Sequence, residues 1–189
     1  EKEVSITCLP VVETVQGDIT GFIQTNMMSM TDGHIFIDSE LYYRGRRPAV
    51  NAFVSVTRVG HQTQTVLRRN SRQTVMDLLN NYEKTQDFLK FGAELGENSR
   101  QVLAMGEKVL SFFNQPVYCV IPLDLQTITL ALLMAGLWNG LGIEKAVVAY
   151  ETNQEYNKIV TELVGNCESL EKLVAAIRPK ADILLGVMK

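Results

Sequence analysis

The apolar residues of this 189-residue chain change their period near Leu67, and one kind of layer cannot accommodate both patterns. Before that point they fall in short runs separated by turn residues. Residues 4–9 are rich in β-formers and stop at Pro10, Asp32-Gly33 reads as a turn, residues 34–37 alternate, and residues 52–57 form an apolar-rich run. Beyond it the spacing is helical: Val75, Leu78, Leu79, Tyr82 and Leu89 share one stripe, and Val102, Met105, Gly106, Val109, Leu110 and Phe113 share another. The expectation is short strands up to about Arg58 followed by an all-helical bundle, with regions at 1–66 and 67–189.

Punctuation places the helices. Gly92 and Gly96 bracket a break between the first two, Asn98 or Ser99 is expected to cap the second, and Pro116 is expected to stop it near Gln115. Later helices are expected at about 123–137, 144–163 and 169–177, with a short final segment after Pro179. Gly136, Gly140 and Gly142 either kink one helix or separate two. The strands pose a different problem, because the near-continuous apolar run 50–56 calls for cover on both faces, as in a parallel α/β sheet. Too few helices accompany it to supply that cover, which points to a further part of the domain outside this sequence. The polar start Glu1-Lys2-Glu3 agrees with that expectation.

Composition narrows the function classes. Apolar residues make up 46% and charged residues 21%, enough for a sizeable core, and the net charge of −3 argues against a nucleic-acid surface. Arg44, Arg46 and Arg47 form too short a basic cluster to reverse this and read as local anion contacts. Cys8, Cys119 and Cys167 lack metal-ligand spacing, and His34 and His61 add no complementary pair, so no metal site is expected. The thiols are expected to be buried or half-buried and reduced, in a reducing compartment. The longest apolar run, residues 130–138, has nine residues where a bilayer span needs ~20, so no direct membrane insertion is expected.

One arginine stands out. Arg58 follows the 52–57 run directly, in Thr57-Arg58-Val59-Gly60, and an arginine at a strand end can reach beyond its own chain. Guanidinium is always charged and forked, which suits a phosphate that gains charge during transfer; such fingers contribute ~10³–10⁵ in rate when supplied in trans. The bland alternative is a solvated surface arginine. No Gly-x4-Gly-Lys-Ser/Thr loop occurs in the sequence, so this chain cannot cradle a triphosphate by that route.

Several blocks agree in one register with a known family. They are Ser5-Ile6-Thr7-Cys8-Leu9-Pro10-Val11-Val12-Glu13-Thr14, Gln16-Gly17-Asp18, Thr25-Asn26-Met27-Met28-Ser29-Met30-Thr31-Asp32-Gly33, Arg47-Pro48-Ala49, Arg58-Val59-Gly60 and Gln64. The register continues more weakly through Phe91-Gly92-Ala93-Glu94-Leu95 and Gln115. On these residues the chain resembles the alpha subunit of F-type ATP synthases. The resemblance implies the C-terminal strands of a P-loop-type nucleotide-binding α/β domain followed by an all-helical C-terminal bundle. It also implies a non-catalytic, regulatory subunit alternating with beta subunits in a hexamer around a central gamma stalk. That complex is peripheral, on the cytoplasmic side of a membrane or its organellar equivalent.

The resemblance assigns roles as well. Arg58 falls on the arginine that points at the γ-phosphate held by a beta subunit. Ser55 falls on a serine needed for activity, with the expected task of fixing the strand end, and the alternative of a locally paired strand serine. Ser29 and Asp32 fall on the interface near the catalytic site, where Asp32 also suits a turn. Arg47 and Pro48 match residues that flank adenine in the alpha subunit's own site, and Gln115 matches one of two glutamines closing it. ATP or ADP with Mg²⁺ is the implied cofactor of the full-length subunit, and none is required by a fragment without the phosphate loop. The second glutamine is replaced by Val117, and further departures are Thr57, the bulkier His61-Gln62-Thr63 and Gly96; together they suggest a divergent alpha. Two alternatives stay open: a related secretion or flagellar export ATPase, and a stand-alone interaction module without nucleotide function.

Overall fold

The computed structural model describes residues 3–90, 96–116, 118–138, 140 and 142–188, with only the backbone of His61. The chain divides into two units, Glu1–Thr63 and Gln64–Lys189.

The first unit contains helix α1 (Phe22–Met30), strand β1 (Gly33–His34), helix α2 (Ser39–Tyr43), strand β2 (Val56–Thr57) and the single turn α3 (Gly60–Thr63). The strands pair antiparallel with Gly33 opposite Thr57 and His34 opposite Val56, and a bridge between Ile37 and Val50 continues the alignment. A Cβ on Gly33 would lie 2.5 Å from the Val56 carbonyl oxygen and 3.0 Å from the Thr57 Cα, so glycine is what lets the strands approach.

Strands are shorter here than the sequence predicts. Residues 4–9 are exposed and carry no regular structure. A strand exists only where a neighbour takes its backbone N–H and C=O groups, and among the described residues none lies beside this run. Within 52–57 only Val56–Thr57 is strand. The Asn51 side-chain oxygen accepts the N–H groups of Phe53 (3.1 Å) and Val54 (3.3 Å) and closes a turn in place of the ladder. Helix α1 falls where the sequence predicts only strands and turns. It has no buried residue and no side-chain N-cap, so its sequence carries no amphipathic signal. Cys8 is exposed rather than buried because it sits in the unpaired run, whereas Cys119 and Cys167 are half-buried.

The second unit is helical: α4 (Val66–Lys90), α5 (Glu97–Phe112), α6 (Leu123–Met134), α7 (Ile143–Thr152), α8 (Gln154–Gly165), α9 (Leu170–Ile177), a 3₁₀ turn (Arg178–Lys180) and α10 (Ala181–Gly186). α6 lies at its centre, against α5, α7, α8 and α9. It is apolar nearly all round, as a helix buried on every side must be, with Leu125, Ile128, Ala131 and Leu132 fully inaccessible. Its buried Thr129 hydroxyl donates to the Leu125 carbonyl at 2.7 Å, which removes an otherwise costly orphan.

On α4 the buried face runs Leu67, Ser71, Val75, Leu79, Tyr82, at helical spacing. The Tyr82 ring packs on Gly106 of α5 so closely that a Cβ there would overlap the ring. Polar ties also link distant parts of the unit: Asn70 Oδ1 accepts the Leu170 N–H at the start of α9 (2.7 Å), and Arg68 Nη2 pairs with Asp124 Oδ1 (2.8 Å).

The predicted helix over 144–163 is two helices. Asn153 has an extended backbone and its side chain accepts the N–H groups of Glu155 and Tyr156, capping α8 and ending α7. The glycines at 136 and 142 separate α6 from α7 and both have positive φ; at Gly142 a Cβ would also overlap the Met188 backbone. α5 starts at Glu97 on Gly96, with no side-chain cap from Asn98 or Ser99, and ends at Phe112, before Pro116. The break expected around Gly92 lies outside the described residues.

Candidate functional site

Arg58 follows β2 directly, and its position is set by the turn that joins α1 to β1. Its backbone N–H donates to the Asp32 carbonyl at 2.8 Å, fixing the Cα just beyond the last strand pair. The exposed guanidinium lies over the C-terminal turn of α1, where Nη2 donates to the Met28 carbonyl at 3.2 Å and Nη1 makes a longer contact to the Ser29 carbonyl at 3.5 Å. These carbonyls are among those a helix end leaves without intrahelical donors, and the helix dipole gives them extra negative character. Ser29 thus meets Arg58 through its backbone. Its hydroxyl instead donates to the Asn26 carbonyl at 2.7 Å. The Thr31 hydroxyl lies 3.0 Å from the carbonyls of both Met27 and Gly33, tying the helix end to β1.

Ser55 does not touch Arg58. Its half-buried hydroxyl donates to the Asn51 carbonyl at 2.6 Å and accepts the Phe36 N–H at 3.0 Å. It therefore pins the segment after β1 to the turn before β2, and His34 Nε2 adds a 2.9 Å contact to the Val54 carbonyl on the same turn. Asn51 extends this support: its side-chain N–H donates to Asp38 Oδ2 at 3.0 Å, while Asp38 Oδ1 accepts the Glu40 N–H at 2.8 Å and caps α2. The Asn51 hydrogen bond, together with those from the α2 backbone, holds the Asp38 carboxyl below its ordinary range.

Arg47 and Pro48 lie just beyond α2, joined by a cis peptide bond. The Arg47 guanidinium stacks on the Tyr42 ring with its carbon 3.6 Å from the centroid, and Nη1 donates to the carbonyls of Tyr42 (2.7 Å) and Arg46 (2.8 Å). Pro48 is exposed beside it. Of its basic neighbours, Arg44 pairs with Glu40 one turn back on α2, and burial lowers the pKa of Arg46. Gln115 is half-buried in the connection between α5 and α6, in the second unit, and Val117 lies outside the described residues.

One constellation in the first unit therefore contains Arg58, the Ser29 backbone and Asp32, and another contains Arg47, Pro48 and Tyr42. Sequence reading missed Met28, Tyr42, Asp38 and Asn51. Asp38 preceding Ser39-Glu40 was the available signal, as an acidic N-cap; the Met28 contact is made by a backbone carbonyl and leaves no side-chain signature. Among the described residues, no group of three or more His, Cys, Asp or Glu side chains could hold a metal ion, and no helix is long and apolar enough to cross a membrane.

Comparison with known proteins divides the chain near the same place as its fold does. Residues 1–57 match the nucleotide-binding domain of the ATP synthase alpha/beta family, and residues 62–178 match the C-terminal domain of the ATP synthase alpha/beta chain. The chain belongs to this family. Among relatives, it is 37% identical over 185 residues to ATP synthase subunit alpha of Orientia tsutsugamushi (strain Boryong), an alignment covering 97% of this chain and 36% of that protein. It is 32% identical over 167 residues to the subunit alpha of Ehrlichia chaffeensis, covering 86% of this chain and 33% of the relative. The subunit alpha of Clostridium acetobutylicum is 40% identical over 126 residues, covering 67% and 25%. The chain thus spans about a third of the length of the first two relatives.

Proposed function

We propose that this chain works as an alpha-type, regulatory part of a rotary F-type ATP synthase, lending Arg58 in trans to a nucleotide held by a neighbouring beta-type subunit. The observation that supports this most is the placement of Arg58: an exposed guanidinium whose backbone is anchored by β1, β2 and the Asp32 carbonyl while, among the described residues, the side chain is held by two carbonyl contacts. A fixed Cα with a movable charged tip can reach a partner's phosphate without disturbing the strand pair. There the forked donors would stabilise charge that develops on the transferring phosphoryl group. Ser55 would act at one remove, keeping the Asn51 turn and hence β2 in place.

The chain's own residues fit the base end of a nucleotide. Within the first unit, Arg47, stacked on Tyr42 and followed by exposed Pro48, offers a planar cation and a ring to flank an adenine; Gln115, in the second unit, is assigned to that task by the resemblance alone. They do not fit its phosphate end, since the sequence has no phosphate-cradling loop and the described residues include no metal-ligand group. ATP or ADP with Mg²⁺ bound there would be structural, and no step of the reaction passes through it. In this reading the partners are beta subunits in an alternating hexamer and a gamma stalk, at the cytoplasmic face of a membrane or its organellar equivalent.

The test is kinetic. In the complete complex, Arg58→Ala should lower kcat by ~10³ or more while nucleotide binding stays nearly intact, because the lost contact forms only as the phosphoryl group transfers. Near-normal turnover would contradict the reading. Independently, Val117→Gln should lengthen nucleotide retention at the alpha site, and unchanged retention would remove Arg47, Pro48 and Gln115 from the proposal.

A further inference from the structure

We infer that the C-terminal end of α1 is a resting dock for Arg58, so that the arginine alternates between the Met28 and Ser29 carbonyls and a neighbour's phosphate. This inference rests on the reading of Arg58 as a trans-acting arginine and adds where the side chain goes when no phosphate faces it. The geometry that carries it lies wholly within the first unit. Nη2 and Nη1 reach two successive carbonyls at the end of a nine-residue helix, at 3.2 Å and 3.5 Å, while the backbone N–H of the same residue is held by Asp32 at 2.8 Å.

Three features make the arrangement reversible. First, the dock offers partial charges only, roughly half an elementary charge for a whole helix end. A terminal phosphate in transfer offers a full charge and more oxygens, so it has the differential affinity needed to draw the guanidinium away. Second, both docking contacts are solvent-exposed and the second is long, so leaving uncovers no buried group. Third, departure needs side-chain rotation alone, because the strand pair and the Asp32 contact hold the backbone. A docked arginine would be withheld from wrong partners and would keep the α1 end satisfied until a correctly placed phosphate competes for it.

Amide hydrogen exchange over residues 27–34 of this chain, in the ring assembled with its native partners, tests the dock. The Met28 and Ser29 carbonyls face a cation while Arg58 rests on them, whereas Thr31 holds the Met27 carbonyl throughout, so departure of Arg58 should let the last turn fray more often. With ADP alone, exchange in the unsubstituted chain should be several-fold slower than in Arg58→Met, with Arg58→Lys between them because it retains a cation without the fork. Adding fluoroaluminate to ADP, as a mimic of the transferring phosphoryl group, should raise exchange toward the Arg58→Met level in part of the population. Equal exchange in the unsubstituted and Arg58→Met chains would overturn the dock, and so would exchange that fluoroaluminate leaves unchanged. Hydrolysis by Arg58→Met, measured alongside, reports on the arginine-finger reading separately: normal turnover contradicts that reading, whereas a missing exchange difference contradicts the dock alone.

Discussion

The two units of this chain hold their shapes by different means. In the helical unit Leu125, Ile128, Leu132, Val160, Leu173, Ile177 and Leu184 are essentially inaccessible and belong to one continuous core. In the first unit Ala49 is the buried hydrophobic residue among those described, and Val4, Ile6, Leu9, Val11, Phe22 and Met30 are exposed. Complete burial of a Leu or Ile contributes ~1.5–3 kcal/mol, so the second unit is stabilised mainly by area removed from water. The first is shaped by specific hydrogen bonds: Asn51 to Phe53 and Val54, Ser55 to Phe36 and Asn51, Asp38 to α2, Arg58 to Asp32. Packing gives rigidity. Hydrogen bonds at or near the surface give direction without it, and Arg58, Ser55, Ser29, Arg47 and Pro48 are found there, while Gln115 lies in the second unit.

The sharpest way to break this contrast is a matched pair of truncations. Leu132→Ala should cost ~2–5 kcal/mol in urea unfolding, since it opens a cavity at the centre of α6, whereas Ile6→Ala, at a residue 92% exposed, should stay within ~0.5 kcal/mol. Comparable losses at the two positions would show that the first unit has a core of its own. Next in size, Gly106→Ala should destabilise the helical unit by ~1–3 kcal/mol, because the new methyl meets the Tyr82 ring of α4. An unchanged melting temperature would mean that α4 and α5 are free to move apart.

Titration sharpens the contrast further. Tyr156 is almost inaccessible, and burial pushes its pKa up from 10.0 to about 12. The folded state therefore keeps a proton that the unfolded chain releases above pH 10. Stability from this group is complete below pH 10 and falls as pH rises toward 12, read as a decreasing melting temperature that Tyr156→Phe should flatten. The smallest expected effect is in the first unit. Asn51→Ala removes the leading cause of the lowered Asp38 pKa, so the Asp38 carboxyl should titrate closer to the ordinary value by NMR, with little change in the helical unit. An unmoved titration would assign the shift to the α2 cap instead.

How much of this was legible in the sequence follows the same division. The helical stripes on α4 and α5 were readable because burial selects apolar residues at fixed spacing, and Val75, Leu79, Tyr82, Gly106 and Val109 are indeed buried. The break at Asn153 was not, because the apolar spacing runs through it and only one capping side chain marks it. In the first unit, composition overstated strand content. Residues 4–9 have β-forming side chains but no neighbour among the described residues, and at 51–54 an asparagine side chain outcompetes the ladder. Helix α1 left no signal because it buries nothing. Arg58, Ser55, Ser29, Arg47 and Pro48 were singled out by the register of residues along the chain, since periodicity carries no signal for them. Their contacts depended on backbone carbonyls that no sequence pattern encodes.

The most direct test of the central claim is a structure of the assembled ring containing this chain, with ADP and fluoroaluminate bound. The Arg58 guanidinium is expected within hydrogen-bond reach, ~3 Å, of the fluoroaluminate at a closed interface, and on the Met28 and Ser29 carbonyls where the neighbour holds no such group. An Arg58 side chain remote from the bound phosphoryl mimic at every interface would contradict the account.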